Sequence, residues 1–270
     1  MPWRKGEKLL GASGQGALQQ TLLAGPTARF DYANSVEVKL HVGALQSVGD
    51  LELFDGANIA AIQNTQGGWE VLQFQDAELV DENTYKISRF LRGQAGTEIE
   101  MSGSISAGAR FVLINGAIVQ PGLTLNDVRR TKTWRYGPAS KDPASSAYGE
   151  KRYAFKGLGL RPFSVTHVKA IQNSDGIELT WIRRARIGAD NWEQADVPLA
   201  EESERYEVDI LDAAGDVVRT LAANKPNASY LNSEIAADFG AAPSHLSIVV
   251  HQISATYGRG SAKTALVEFK

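Results

Sequence analysis

Residues 85–98 read YKISRFLRGQAGTE, and two arginines, two glycines and a Thr-Glu pair in so short a span allow three chemistries. The stretch could be an anion-binding loop, a catalytic turn or a stiff hairpin end. An arginine fork binds phosphate and carboxylate alike, while glycine lets the chain reverse sharply after a strand at little steric cost. Arg89 and Arg92 have Glu98 and Glu100 nearby as candidate partners and backbone carbonyls of the turn as others, and with Gly93 and Gly96 suited to a sharp reversal the stretch reads as a structural turn. The other reactive residue types are scattered. His41, His167, His245 and His251 fall mostly within strand patterns and show no metal-binding spacing. GASGQGAL (11–18) and GRGSAKT (258–264) have phosphate-loop overtones. The first lacks a preceding strand, and the second has Ala262 where a P-loop needs glycine. Asp190, Glu193, Asp196, Glu201, Glu202 and Glu204 have no EF-hand order and read as a solvated acidic loop. Arg183, Arg184 and Arg186 precede that loop and are expected to pair with it rather than with a polyanion. No nucleophile, acid/base pair, metal or cofactor site emerges, so the residues point to a binding or structural protein and not to an enzyme.

The composition agrees with an ordinary globular chain: 270 residues, 43% hydrophobic, 22% charged, net charge −3. Such a balance gives no global field for nucleic acid or anionic lipid, and no apolar run is long enough for a spanning helix. With no cysteine, disulfides, thiolate metal sites and cysteine nucleophiles are excluded together. The N-terminus has charge but no apolar secretory core. Synthesis in the cytoplasm without a secretory signal is therefore expected, and any extracellular role requires another exit.

Period-2 patterning dominates the elements that would carry any site. Val36, Val38, Leu40 and Val42 alternate with polar residues, and in WEVLQFQ Trp69, Val71 and Gln73 face opposite to Glu70, Leu72 and Phe74. Leu51 and Leu53 are read as the start of a strand, and Asn115-Gly116 closes ARFVLING as a turn. The expectation is an antiparallel meander or barrel-like domain over 31–136, after an N-terminal extension, 1–30. A Gly/Pro/Ser-rich linker, 137–160, follows, carrying Tyr148, Tyr153 and Phe155. Beyond it, residues 161–270 hold about seven strands in about 110 residues, the rhythm of a β-sandwich. Helix is expected only in ALQQTLL (17–23) and near EIAADFG.

Several segments together resemble a specific family. GGWEVLQFQDAELV, YKISRFLRGQAGTE, the LRP of 160–162, ELTWIRRARIGADNWEQADVPLAEESERYEV and VVHQISATYGRG are similar to the C-terminal part of the large tail-tip, or host-specificity, proteins of gene transfer agents and related long-tailed phages of alphaproteobacteria. The likeness runs over roughly residues 20–270. The second block separately resembles a fibronectin type III-like sandwich, with Trp181 on the second strand, Tyr206 entering the third, and a glycine-rich last hairpin.

This resemblance implies a virion structural role. Such proteins form the hub and fibre of a tail tip or baseplate, usually as homotrimers, and contact other tail proteins and the host envelope. They function in the particle, outside the cell after release. Family members are much longer and some carry a glycoside-hydrolase-like barrel absent from this sequence, so no activity carries over, and Met1 is expected to mark a truncated start. The expected function is a structural tail-tip component engaged in host recognition, without nucleic acid binding or membrane insertion. The alternative is a non-catalytic carbohydrate-binding region accessory to a cell-wall or polysaccharide hydrolase. Trp134, Tyr136, Trp192 and Tyr257 are the candidate receptor- or glycan-binding residues.

Overall fold

The computed structural model describes residues 14–101, 103–116, 118, 122–188, 197–241 and 243–268. The chain divides into two compact units, Met1–Leu158 and Gly159–Lys270, and both are built almost wholly of antiparallel strands.

Unit 1 holds ten strands: β1 (Gln15–Leu18), β2 (Leu22–Leu23), β3 (Asp31–Val42), β4 (Ile59–Gln63), β5 (Trp69–Asp81), β6 (Thr84–Gln94), β7 (Ser104–Ile105), β8 (Arg110–Leu113), β9 (Thr131–Tyr136) and β10 (Gly149–Ala154). Six of them close into a barrel in the order β1-β3-β6-β5-β4-β8. This is the expected antiparallel, barrel-like domain, with a Greek-key step within it: β4, β5 and β6 follow one another as a meander, and β3 lies beside β6. Each strand sends alternate side chains inward, and Val36, Val38, Ile62, Leu72, Phe74, Ile87, Phe90 and Phe111 fill the interior.

Three local expectations change. ALQQTLL is not a helix but the end of β1 and the whole of β2 joined by a bend, because Leu18 and Leu22 are both needed in the barrel core. Residues 15–18 are thus the staves that close the barrel between β3 and β8, not part of an extension. Leu51 and Leu53 lie on a short helix, α1 (Asp50–Phe54), whose Glu52 carboxylate accepts the Gly49 N–H at 2.9 Å and whose Leu53 is fully buried. Finally, the Gly/Pro/Ser-rich stretch is not simply a linker. Residues 149–154 pair with 131–136 as the β9–β10 hairpin, and the tip is tied by Tyr148, whose hydroxyl donates to Pro138 O at 3.1 Å. No described residue from 122 to 156 is buried.

Unit 2 is the expected fibronectin type III-like sandwich. Its strands are β11 (Thr166–Gln172), β12 (Gly176–Ile182), β13 (Tyr206–Leu211), β14 (Val217–Ala223), β15 (Asn227–Leu231), β16 (His245–Ser254), β17 (Gly258–Arg259) and β18 (Lys263–Glu268). One sheet runs β11-β12-β15 and the other β14-β13-β16, with β17 and β18 both on β16. Trp181 and Tyr206 meet edge-to-face at 5.1 Å between the sheets, surrounded by Ile177, Leu179, Val208, Ile210, Ile248 and Val250. Helix α2 (Asn232–Phe239) falls where EIAADFG predicts it and adds buried Ile235 to the core.

Candidate functional site

RFLRGQAGTE works from inside the barrel. Arg92, on β6, forks onto Glu70 of β5, with Nε to Oε1 at 2.6 Å and Nη2 to Oε2 at 2.8 Å. Its Nη1 donates to Leu23 O at 3.0 Å and reaches Asp31 Oδ2 of β3 at 3.3 Å. All three side chains are fully buried. The partners expected from sequence, Glu98 and Glu100, are therefore wrong. β5 and β3 flank β6, and residues distant in sequence but adjacent in the sheet supply the carboxylates. Asp31 also accepts the N–H groups of Ala33 and Asn34 at 3.1 and 3.2 Å, which closes the irregularity in β3.

The turn after Arg92 is as tightly specified. Gly93 has φ +62, and a Cβ there would stand 2.9 Å from Glu98 Cα. Glycine is the residue that meets both demands. Its N–H donates to Glu70 Oε1 at 3.2 Å. Thr97 Oγ donates to Gln94 O at 2.6 Å and accepts the Val71 N–H at 2.9 Å, pinning the loop to β5. The anion-site reading fails for Arg92, since its guanidinium is consumed internally.

That pinned loop forms one wall of a cleft. Asn64 holds the neighbouring β4–β5 turn: its Oδ1 accepts the Gln66 and Gly68 N–H groups, and its Nδ2 donates to Glu100 O and Oε2 at 3.1 and 2.9 Å. Residues 153–158 supply the opposite wall, fixed where the Arg129 N–H donates to Phe155 O at 2.7 Å. The space between is about 510 Å3 and is lined by Trp69, Tyr153, Phe155, Gln66, Glu100 and Lys156, with Thr97 and the turn backbone. It lies wholly within unit 1. Trp69, Tyr153 and Phe155 are aromatics that share the cleft with a carboxylate, an amide and an ammonium, groups of the kinds that stack and hydrogen-bond in small-ligand sites.

The four candidate residues do not converge. Trp134 and Tyr136 share one face of β9 with Lys132, opposite Lys151 and Gly149 of β10. Tyr136 is 63% exposed, but neither it nor Trp134 lines the cleft. Trp192 lies outside the described residues, as do Asp190, Glu193 and Asp196. In unit 2, the Tyr257 hydroxyl accepts from Arg161 Nε and Nη2 at 2.9 and 2.6 Å, so its polar end is already engaged. Tyr153 and Phe155 were visible in the sequence as aromatics in a Gly/Pro-rich stretch. Trp69 looked like one more strand residue, and only the folded turn brings it to them.

The remaining motif pieces are clips within unit 2. Leu-Arg-Pro at 160–162 lies against the last hairpin: Pro162 O accepts the Ser261 N–H at 2.9 Å, and a Cβ on Gly260 would meet Pro162 Cβ at 2.8 Å. Arg186 pairs with Glu201 at 2.8 Å and Arg183 with Glu204 at 3.6 Å, while Arg184 stacks on Phe163 at 4.8 Å. Arg183 and Arg186 thus hold residues 198–204, and Arg184 holds Phe163. Gly258–Arg259 and Lys263 belong to β17 and β18, a hairpin setting and not a strand-to-helix phosphate loop.

Two carboxylates of this unit titrate low. Arg219 donates to Asp238 at 2.6 and 3.0 Å and Tyr230 at 2.6 Å, which holds the Asp238 carboxyl below the usual range. Burial pushes Asp209 up, but hydrogen bonds from Arg259 and Thr220 outweigh it and leave it low. Each is an internal partner of a guanidinium. Among the described residues no group of three His, Cys, Asp or Glu side chains is placed to hold a metal, and no helix is long and apolar enough to cross a membrane.

Residues 13–112, the barrel with its closing strand, match the family described as Rcc01698-like, C-terminal. No curated protein matches. Among solved structures, the chain is similar to domains d3–d4 of the rat CD45 extracellular region, with 13% identity over 57% of this chain and 71% of that one and a TM-score of 0.27. It is also similar to the FN1–FN3 domains of chicken CNTN1, with 12% identity, 95% and 67% coverage, and a TM-score of 0.29. The glycoside hydrolase domain of Endo-D from Streptococcus pneumoniae R6 is similar at 13% identity, 97% and 36% coverage, and a TM-score of 0.22.

Proposed function

We propose that this chain is a non-catalytic module of a phage-like tail tip, of the gene-transfer-agent kind, that helps the particle engage a host surface. The observation that carries the reading is what the motif residues do. Arg92, Gly93 and Thr97 fasten the barrel, and Arg161, Pro162 and Gly260 fasten the last hairpin of the sandwich. The residues on which the tail-protein resemblance rests are spent on holding a scaffold, as a structural module requires. In that setting the partners are other baseplate proteins and two further copies of the chain, and the module acts outside the cell once the particle is released. Imaging of intact particles tests this: density for the barrel and the sandwich is expected at the tail tip, and its absence there rejects the proposal.

The aromatic cleft favours a second reading, a carbohydrate-binding region accessory to a cell-wall or polysaccharide hydrolase. Fractionation of producing cells separates the two. A tail module sediments with particles, whereas an accessory region travels with hydrolase activity in the particle-free fraction.

A further inference from the structure

The cleft between the 64–69 turn, the 93–100 loop and the 153–158 segment shares Thr97 with the fastening of the barrel, but its aromatic and charged lining residues Trp69, Tyr153, Phe155 and Lys156 take no part in the Arg92 network. Trp69, Tyr153 and Phe155 bring three aromatic side chains to one space of about 510 Å3, within the size range of small-ligand sites. Gln66 offers both a donor and an acceptor, Glu100 an acceptor and Lys156 a donor. A ligand that uses all of them needs apolar ring faces and hydroxyls that both give and take hydrogen bonds. One carboxylate and one ammonium balance in charge, so the lining favours a neutral ligand over a phosphate or a nucleotide.

We infer that this cleft is a saccharide-binding site for a neutral mono- or disaccharide unit of a surface glycan. The C–H face of a pyranose would lie on the aromatic wall, with its hydroxyls directed to Gln66, Glu100 and Lys156. The framework is set before binding. Asn64 anchors both the turn and Glu100, and Thr97 pins the loop to β5, so little ordering cost remains for the ligand to meet. Tyr153, 51% exposed, and Phe155, 39% exposed, lie on the rim, where truncation spares the barrel core. The inference deepens the host-surface reading above, and rests on it only for where the saccharide is met.

The test uses the full chain on an array of immobilised neutral hexose and N-acetylhexosamine oligosaccharides, followed by calorimetric titration of any hit. Saturable binding is expected, weakened at least about tenfold by Tyr153→Ala and abolished by Tyr153→Ala with Phe155→Ala. Tyr136→Ala, on the same hairpin but outside the cleft, should leave binding unchanged. Circular dichroism of each variant checks that the fold is retained. Gln66→Ala, on an exposed turn, gives an independent reduction. Failure to bind any neutral oligosaccharide overturns the inference. So does binding that survives the double substitution, as an anionic polymer held by the arginines and lysines of the hairpin would show, and so does binding confined to nucleotides. None of these outcomes depends on where the module sits in a particle, so the cleft and the tail-tip proposal can fail separately.

Discussion

The barrel and the sandwich handle charge in opposite ways. The barrel places Asp31, Glu70 and Arg92 where no water reaches them. The sandwich leaves one partner of its main pairs open to solvent, with Arg259, 45% exposed, on buried Asp209 and on Glu207, and Arg219, 29% exposed, on Asp238 and Glu234. A buried pair adds little over a well-packed apolar substitute but is very costly to break, because the surviving charge has no solvent to turn to. A rim pair is cheap to make and cheap to lose. The barrel's triad therefore ties β3, β5 and β6 together through charges that cannot be lost singly, while the sandwich core is centred on the apolar Trp181–Tyr206 contact.

The contrast is broken most directly at Arg92. Arg92→Ala should cost about 3–5 kcal/mol, read as loss of hydrogen-exchange protection across β3, β5 and β6 with the sandwich unchanged; a smaller loss than at any rim arginine would reverse the comparison. Gly93→Ala comes next, at about 1–3 kcal/mol, from a left-handed φ and contact with the Glu98 backbone. A thermal melt resolving the two units should show the barrel alone shifted.

Acid sharpens the other side. The folded-state values of Asp209 and Asp238 lie below ordinary carboxylates. Their stabilising effect is thus complete above the unfolded value of about 3.9 and is lost as the pH falls through the folded values. Urea midpoints of the sandwich should decline below about pH 4, and Asp238→Asn should flatten that decline. The smallest effect is expected at Glu207→Ala, no more than about 1 kcal/mol in the sandwich transition and shrinking further in high salt.

Much of this was legible in the residues, and the exceptions share a cause. Alternation marks Val36, Val38 and Leu40 as inward correctly, although Val42 at the strand end is exposed, and Trp181 and Tyr206 sit where their strand positions put them, because burial of alternate side chains is a local signal. ALQQTLL misleads because its leucines satisfy either period over so short a span, and the demand of the barrel interior decides. Leu51 and Leu53 likewise follow tertiary contacts and an end cap from Glu52. The partners of Arg92 are set by strand pairing: Glu70 reaches it through the irregular register of the β5–β6 hairpin, and Asp31 only through the Greek-key placement of β3 beside β6. The cleft was half visible. Aromatics in a Gly/Pro-rich stretch flagged Tyr153 and Phe155, but nothing local links them to Trp69 or Glu100.

The closing stave of the barrel bears on how the chain is made. β1 pairs with β8, so residues 15–17 must meet residues 110–112, a contact between segments far apart in sequence, and loop closure of that kind slows folding. On the ribosome, β3 through β6 can assemble while the β8 edge has not yet emerged. Until it does, both flanks of the nascent sheet present unpaired N–H and C=O groups, ready to capture a strand from a neighbouring chain. Slow translation or chaperone cover between residues 94 and 110 would therefore govern the yield of closed barrel more than its final stability does.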